Sequence, residues 1–218
     1  MPSKLLPTLD IRDAGEVNLN NSAIEWVQRS APNRKNPLVV PEVTQKMIDD
    51  LHARREVKWS YGGYLEDRST LLKGTYLDDT GGYIHLGVDV NVAPGTTVAA
   101  PYDATVVNVF DDTPTASGWG PRLILRPEDT SLPYLILGHL TAISLKTGDC
   151  VRTDQILAAI APPPRNGNWF PHLHIQQIAQ HKVQQHEEDN YQTLDGYGHP
   201  RDLELLRETY PDPTWLVL

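Results

Sequence analysis

The chain has 218 residues, 39% of them hydrophobic and 22% charged, enough for one sizeable core with additions or for two small ones. A formal net charge of −9 speaks against nucleic acid or an anionic membrane as the main partner, because both select clustered Lys and Arg. The single cysteine, Cys150, excludes an internal disulfide and the Cys-only zinc motifs, which leaves His and carboxylates as candidate metal ligands.

The opening MPSKLLPTLDIRDAGEVN has neither an uninterrupted apolar stretch nor a small-residue cleavage site, and no later run approaches a membrane span. A cytoplasmic protein is the expectation. Ser22 with Glu25 has the pattern of a capping box and predicts a short helix over SAIEWVQRS. A polar, proline-bounded loop, APNRKNP, follows. Next, PEVTQKMIDDLHARREV places Val43, Met47, Ile48 and Leu51 on one helical face, with Pro41 suited to the first turn. Residues 1–60 therefore read as a helical extension. If it covers a groove it is inhibitory, and deleting it would raise the rate.

From about residue 83 the period becomes two. IHLGVDVNV, TTVAA, ATVVNVF, RLILR, YLILGHL, QILAAIA and HLHIQQIA are strand-like runs separated by turn signals, including SGWGP, KTGD and PPPRNGN. The fold expected is mainly β, an antiparallel sandwich or barrel-like core over 61–180 that forms a groove. Cys150, in KTGDC, reads as a small apolar filler near a turn. The tail, 181–218, is polar, then closes with a short helix over LELLRETY capped by Asp202, and its WLVL end is expected to pack on the body.

Chemistry is concentrated in two spacings. In PHLHIQ, His172 and His174 share one face of a strand, either as a solvated polar edge or as half of a metal site. In HLGVD, His85 and Asp89 would stand ~13 Å apart on a straight strand, too far for a common ion, so the chain must bend between them, and Gly87 permits it. A third histidine, His139, ends another strand in LGHL. His52, His181, His186 and His199 lie outside these motifs and read as ordinary surface or core histidines.

Taken in order, HLGVD at 85–89, APGTTVAAPYDATVV at 93–107, GHLTAISLKTGDCVRTDQIL at 138–157 and PHLHIQ at 171–176 resemble the lysostaphin/LytM-type zinc metalloendopeptidases, over roughly half the chain. The resemblance implies a Zn2+ cofactor held by His85, Asp89 and His174. It also implies that His139 and His172 act on substrate and water, and that the substrate is a peptide or muropeptide. Three protein ligands leave a fourth position open, as a catalytic zinc requires. No H-E-x-x-H supplies a glutamate base, so the two further histidines are the proton carriers.

The chain departs from the family in places. Leu137 stands where relatives often carry an aromatic, and the loop before H-x-H is APPPRNGNWFP rather than small and polar. Asn168 and Trp169 are expected at the substrate, with Arg165 adding a cation to the groove wall. Relatives use an upstream tyrosine; Tyr61, Tyr64 and Tyr83 precede the first ligand here, and core packing is the plainer reading of all three. Two rival readings are a catalytically silent zinc-binding module that regulates or binds a partner, and a fold reused on another small molecule.

Overall fold

The computed structural model describes residues 4–30, 36–75, 77–111 and 118–218. Most of the APNRKNP loop, and Ser117 of SGWGP, lie outside the described residues. The strands are β1 (Ala14–Glu16), β2 (Trp59–Gly62), β3 (Ile84–His85), β4 (Val88–Asn91), β5 (Thr97–Ala99), β6 (Ala104–Asp111) and β7 (Pro121–Pro127). They continue with β8 (Tyr134–Gly138), β9 (Leu140–Thr141), β10 (Cys150–Val151), β11 (Ile156–Ile160), β12 (Leu173–Ile178) and β13 (Tyr197–Gly198). The helices are α1 (Leu19–Ser30), α2 (Pro41–Arg55), α3 (Leu77–Thr80), α4 (Gln184–Glu187) and α5 (Leu203–Thr209).

An eight-stranded sheet runs β1-β2-β4-β12-β8-β7-β6-β10, and a three-stranded sheet β5-β11-β9 packs on it. The expected β architecture is present as a sandwich. It is mixed rather than wholly antiparallel, because β1 pairs in parallel with β2, and no barrel closes, because β1 and β10 stay at opposite edges.

Alternation along the central strands explains where the polar residues go. On β8, Leu135 and Leu137 enter the core between the sheets, while Tyr134 and Ile136 enter a second apolar cluster on the opposite face. Both faces are covered, so the strand reads as a continuous apolar run. On β12, Leu173 and Ile175 face the inter-sheet core, and on β4 Val90 does the same. His174 and Asp89 therefore face the other way, toward the layer built by residues 64–75, residues 77–86 and the C-terminal segment.

Helix α2 starts at Pro41 and buries Met47, Ile48 and Leu51, with Val43 half-buried beside them, as its periodicity predicts. Helix α1 begins earlier than the Ser22–Glu25 pattern implies. Asn18 caps it through Oδ1, which accepts from the Asn21 amide at 2.7 Å, and Ser22 lies inside, its hydroxyl bonded back to the Asn18 carbonyl. Asp202 precedes α5 but makes no side-chain cap; His199 accepts from the Arg201 amide in the turn before it. The WLVL end does pack back, with Leu216 in the inter-sheet core. Cys150 is exposed rather than a filler, because β10 is an edge strand whose Val151 takes the inward position. Among the described residues no helix is long and apolar enough to cross a membrane.

Candidate metal centre

Register brings the distant motifs together. His174 on β12 lies opposite Asp89 on β4 and opposite Gly138 on β8. His85 ends β3, which leaves the main sheet and pairs with β13, so the chain turns at Leu86–Gly87 before β4 begins. Space, more than backbone angle, demands glycine at 87. A Cβ there would stand 2.3 Å from the Ile175 carbonyl oxygen and 2.9 Å from His174 Nε2.

His85, Asp89 and His174 each offer one ligand atom within 4.8 Å of the others, and all three are buried. The His85 Nε2–His174 Nδ1 separation is 2.9 Å, and Asp89 Oδ1 lies 3.1 Å from His174 Nδ1 and 3.3 Å from His85 Nε2. Donors on a tetrahedral ion with bonds of 2.0–2.1 Å stand about 3.3 Å apart, so these separations suit a small cation.

The ring partners support the same conclusion. His85 Nδ1 donates to the Gly63 carbonyl at 2.9 Å, leaving Nε2 with a bare lone pair. His174 Nε2 donates to Gln176 Oε1 at 3.0 Å, and the Gln176 amide is oriented by its own donation to the Asp195 carbonyl. Two bare nitrogens and a carboxylate oxygen thus converge with no proton among them. A cation resolves that arrangement, and the residues present fit zinc: two imidazoles and a carboxylate, with acceptors behind both rings.

Burial, then the Arg68 charge, pushes His85 down to about 3, so its ring is neutral. Burial acts to raise the Asp89 carboxyl, but positive charge nearby, on His85 when that ring is protonated and on Arg68 throughout, outweighs it and holds the carboxyl well below the usual range.

His139 and His172 stand beside this cluster. Their ring centroids are 4.3 Å apart, and His172 Nε2 lies 3.6 Å from Asp89 Oδ1. Each donates Nδ1–H to a carbonyl at 2.7 Å, His139 to Asn166 and His172 to Phe170, so each turns a bare Nε2 to the site. Burial lowers both, His139 well below the ordinary histidine value. His139 holds a left-handed backbone, φ 63°, anchored by its amide on the Trp119 carbonyl and its carbonyl on the Ala161 amide. Strained backbone of this kind persists where surrounding bonds over-determine it.

The cluster opens on a narrow cavity of about 40 Å³. Trp169 lines it; Asn168 does not, and Asn166 is the loop's ordering asparagine, donating to the Trp169 and Phe170 carbonyls. Arg165 pairs with Asp111 and is absent from the lining. None of the three upstream tyrosines lines it: Tyr64 bonds the Tyr210 carbonyl, Tyr83 bonds Asp78, and Tyr61 packs on the core. Tyr197, from the tail, does line it, 5.3 Å from the His85 ring.

Sequence reading also missed Arg68, Trp119 and Asp195. Trp119 stands edge-on to His174, and Asp195 lines the cavity. None belongs to a spaced motif, so nothing in the sequence marked them. Of the remaining histidines, His52 bonds Ser60, His186 is buried beside Tyr210, and His181 and His199 are at the surface.

No curated protein sequence matches the chain. Among solved structures it is similar to lysostaphin from Staphylococcus simulans, an antimicrobial peptidase, at 22% identity over 56% of this chain and 45% of that one, TM-score 0.39. It is similar to the catalytic domain of the prophage-encoded M23 protein EnpA from Enterococcus faecalis at 25% identity, over 45% of this chain and 71% of that one, TM-score 0.38. A zinc-containing peptidase from Vibrio cholerae matches at 26% identity over 44% of this chain and 27% of that one, TM-score 0.36. The chain spans less than half the length of lysostaphin and of the Vibrio peptidase. The model of peptidase family M23 matches residues 83–186, the segment that carries all five site residues.

Proposed function

We propose that the chain is a zinc-dependent metalloendopeptidase that hydrolyses amide bonds in peptides of the peptidoglycan type. The observation that carries this reading is the convergence of His85 Nε2, Asp89 Oδ1 and His174 Nδ1, three proton-free donors within 4.8 Å. Zinc bound there supplies Lewis acidity, polarising a carbonyl and acidifying water.

The other roles belong to the chain. His139 and His172, neutral because they are buried, present bare Nε2 atoms that accept a proton from the attacking water. The same nitrogens return a proton to the departing amine. Their Nδ1 bonds to Asn166 and Phe170 hold both rings in that tautomer. Phe170, stacked on His172 at 4.4 Å, keeps its ring from swinging away.

Metal analysis of the purified protein, followed by incubation with cross-linked muropeptides and a mixed peptide library, tests the reading. The expected result is one zinc per chain and cleavage. His174→Ala should lose both metal and activity. His172→Ala should keep the metal and lose activity by about 10²–10⁴-fold, the usual worth of a general acid–base group. The cavity's size favours a second reading, a silent zinc-binding module: about 40 Å³ admits only a few waters. Zinc in the protein with no cleavage of any peptide would select it.

A further inference from the structure

We propose that Arg68 is a positioning residue for the metal centre, which holds Asp89 to a single coordinating oxygen. This rests on the cation-site reading above. The Asp89 carboxylate has two oxygens with different surroundings: Oδ1 faces the histidines, while Oδ2 accepts from Arg68 Nη1 at 2.5 Å. A carboxylate free at both oxygens can chelate a cation through both. Here one of them is already engaged by a donor that is itself immobile.

Several features fix that guanidinium. Arg68 is 1% exposed, and its Nε donates to Glu66 Oε2 at 3.2 Å. Glu66 Oε1 in turn accepts the Asn20 backbone amide, in the first turn of α1, at 2.6 Å. Gly63 provides the room. A Cβ there would stand 2.1 Å from Arg68 Nη2 and 3.0 Å from His85 Nδ1, and the Gly63 carbonyl is also the acceptor behind the His85 ring. One glycine therefore serves both the histidine ligand and the arginine.

Charge explains why Glu66 is part of the set. A lone buried guanidinium beside a cation site would oppose metal uptake. Paired with Glu66 it adds no net charge, and the Asp89 charge is left for the ion. Partners behind ligating carboxylates of this sort govern affinity and geometry together.

The test uses the full chain, with zinc affinity from competition against a chromophoric chelator and the visible spectrum of the cobalt(II)-loaded protein. In Arg68→Met, Oδ2 is freed. The intense d–d bands of four-coordinate cobalt are expected to weaken as the coordination number rises. Arg68→Lys, which keeps a donor for Oδ2, should restore the spectrum toward the parent.

Glu66→Gln keeps Oδ2 engaged but unbalances the charge, so affinity should fall with the spectrum unchanged. If Arg68→Met does not fold, the Lys and Gln variants decide, because the proposal requires their two readouts to separate. A parental cobalt spectrum in Arg68→Met would overturn the proposal while leaving the cation site intact. A parent chain that takes up neither metal would overturn the cation site and this proposal together.

Discussion

At the scale of single residues, the centre is defined by which ring nitrogen carries a proton. Carbonyls at Gly63, Asn166 and Phe170 and the Gln176 amide oxygen take the N–H of four buried histidines. Protonating His85, His139 or His172 in the folded chain places a charge in a dry site, and burial outweighs the attraction of the nearby Asp89 carboxylate. For the metal-free protein this sets a pH dependence. His85, near 3 when folded, titrates near 6.5 when unfolded, and His139 and His172 are displaced the same way.

As pH falls, the unfolded chain gains protons first. The stability these groups confer is full above about pH 6.5 and is lost progressively toward pH 3. Urea midpoints of chelator-treated protein should be level above pH 7 and drop steadily through pH 6 and pH 4.5. Removing one of the depressed rings with His139→Gln should make that slope shallower; an unchanged slope would refute the assignment. Strand alternation and Gly87, both local signals, marked His172, His174, His85 and Asp89 as candidates, while their roles and that of His139 came only from the family resemblance. Arg68 was not so marked. It sits in EDRSTLL, 21 residues before Asp89, and its role exists only once residues 64–75 and 77–86 fold back over β4.

At the scale of elements, the turn over residues 69–75 decides access. Its Leu71 and Leu72 line the cavity and pack with Phe170 and Trp169. Two asparagines from the N-terminal region hold it. Asn20 Oδ1 accepts the Thr70 and Leu71 amides, each at 2.9 Å. Asn36 Nδ2 faces the Thr70, Leu71 and Lys73 carbonyls at 3.0–3.1 Å. This closure comes from a turn that no pattern in the sequence marked, whereas α2 could be read directly from Pro41 and its apolar face.

Helix α1 was misjudged by one turn, because a Ser followed by Glu resembles a cap even where the serine bonds back to its own helix. Asn36→Ala removes a shared donor worth about 1–3 kcal/mol where the carbonyls are left unsatisfied. The turn should open more often, which predicts faster proteolytic nicking between residues 69 and 75 and a several-fold rise in peptide hydrolysis. Nicking at the parent rate would show that the asparagine does not hold the turn.

At the scale of the whole molecule, the described residues among the first sixty are woven into the body. Strand β1 forms the edge of the main sheet beside β2, and Leu5 and Leu6 sit in the inter-sheet core with Trp59. The Leu5 carbonyl accepts the Ala99 amide at 2.9 Å, tying this segment to the second sheet as well. Such placement was not legible from MPSKLLPTLD, a short proline-interrupted stretch whose two leucines carry no period. Deleting residues 1–60 therefore does more than uncover the cavity.

Each buried leucine contributes about 1.5–3 kcal/mol of transfer free energy, and a domain of this size is stable by only about 5–15 kcal/mol in total. Losing Leu5, Leu6 and Trp59 together with a sheet edge is expected to remove cooperative unfolding altogether. A thermal melt of the truncated chain should show no transition, while Leu5→Ala alone should cost about 2–5 kcal/mol by urea denaturation and still fold. A truncated chain that melts cooperatively and cleaves peptides faster would instead mean that the segment is a detachable cover. The distinction matters for any activation experiment: relief of closure has to be sought by loosening the turn through Asn36, because cutting away the segment removes part of the core that holds the β4–β12 register on which the metal centre depends.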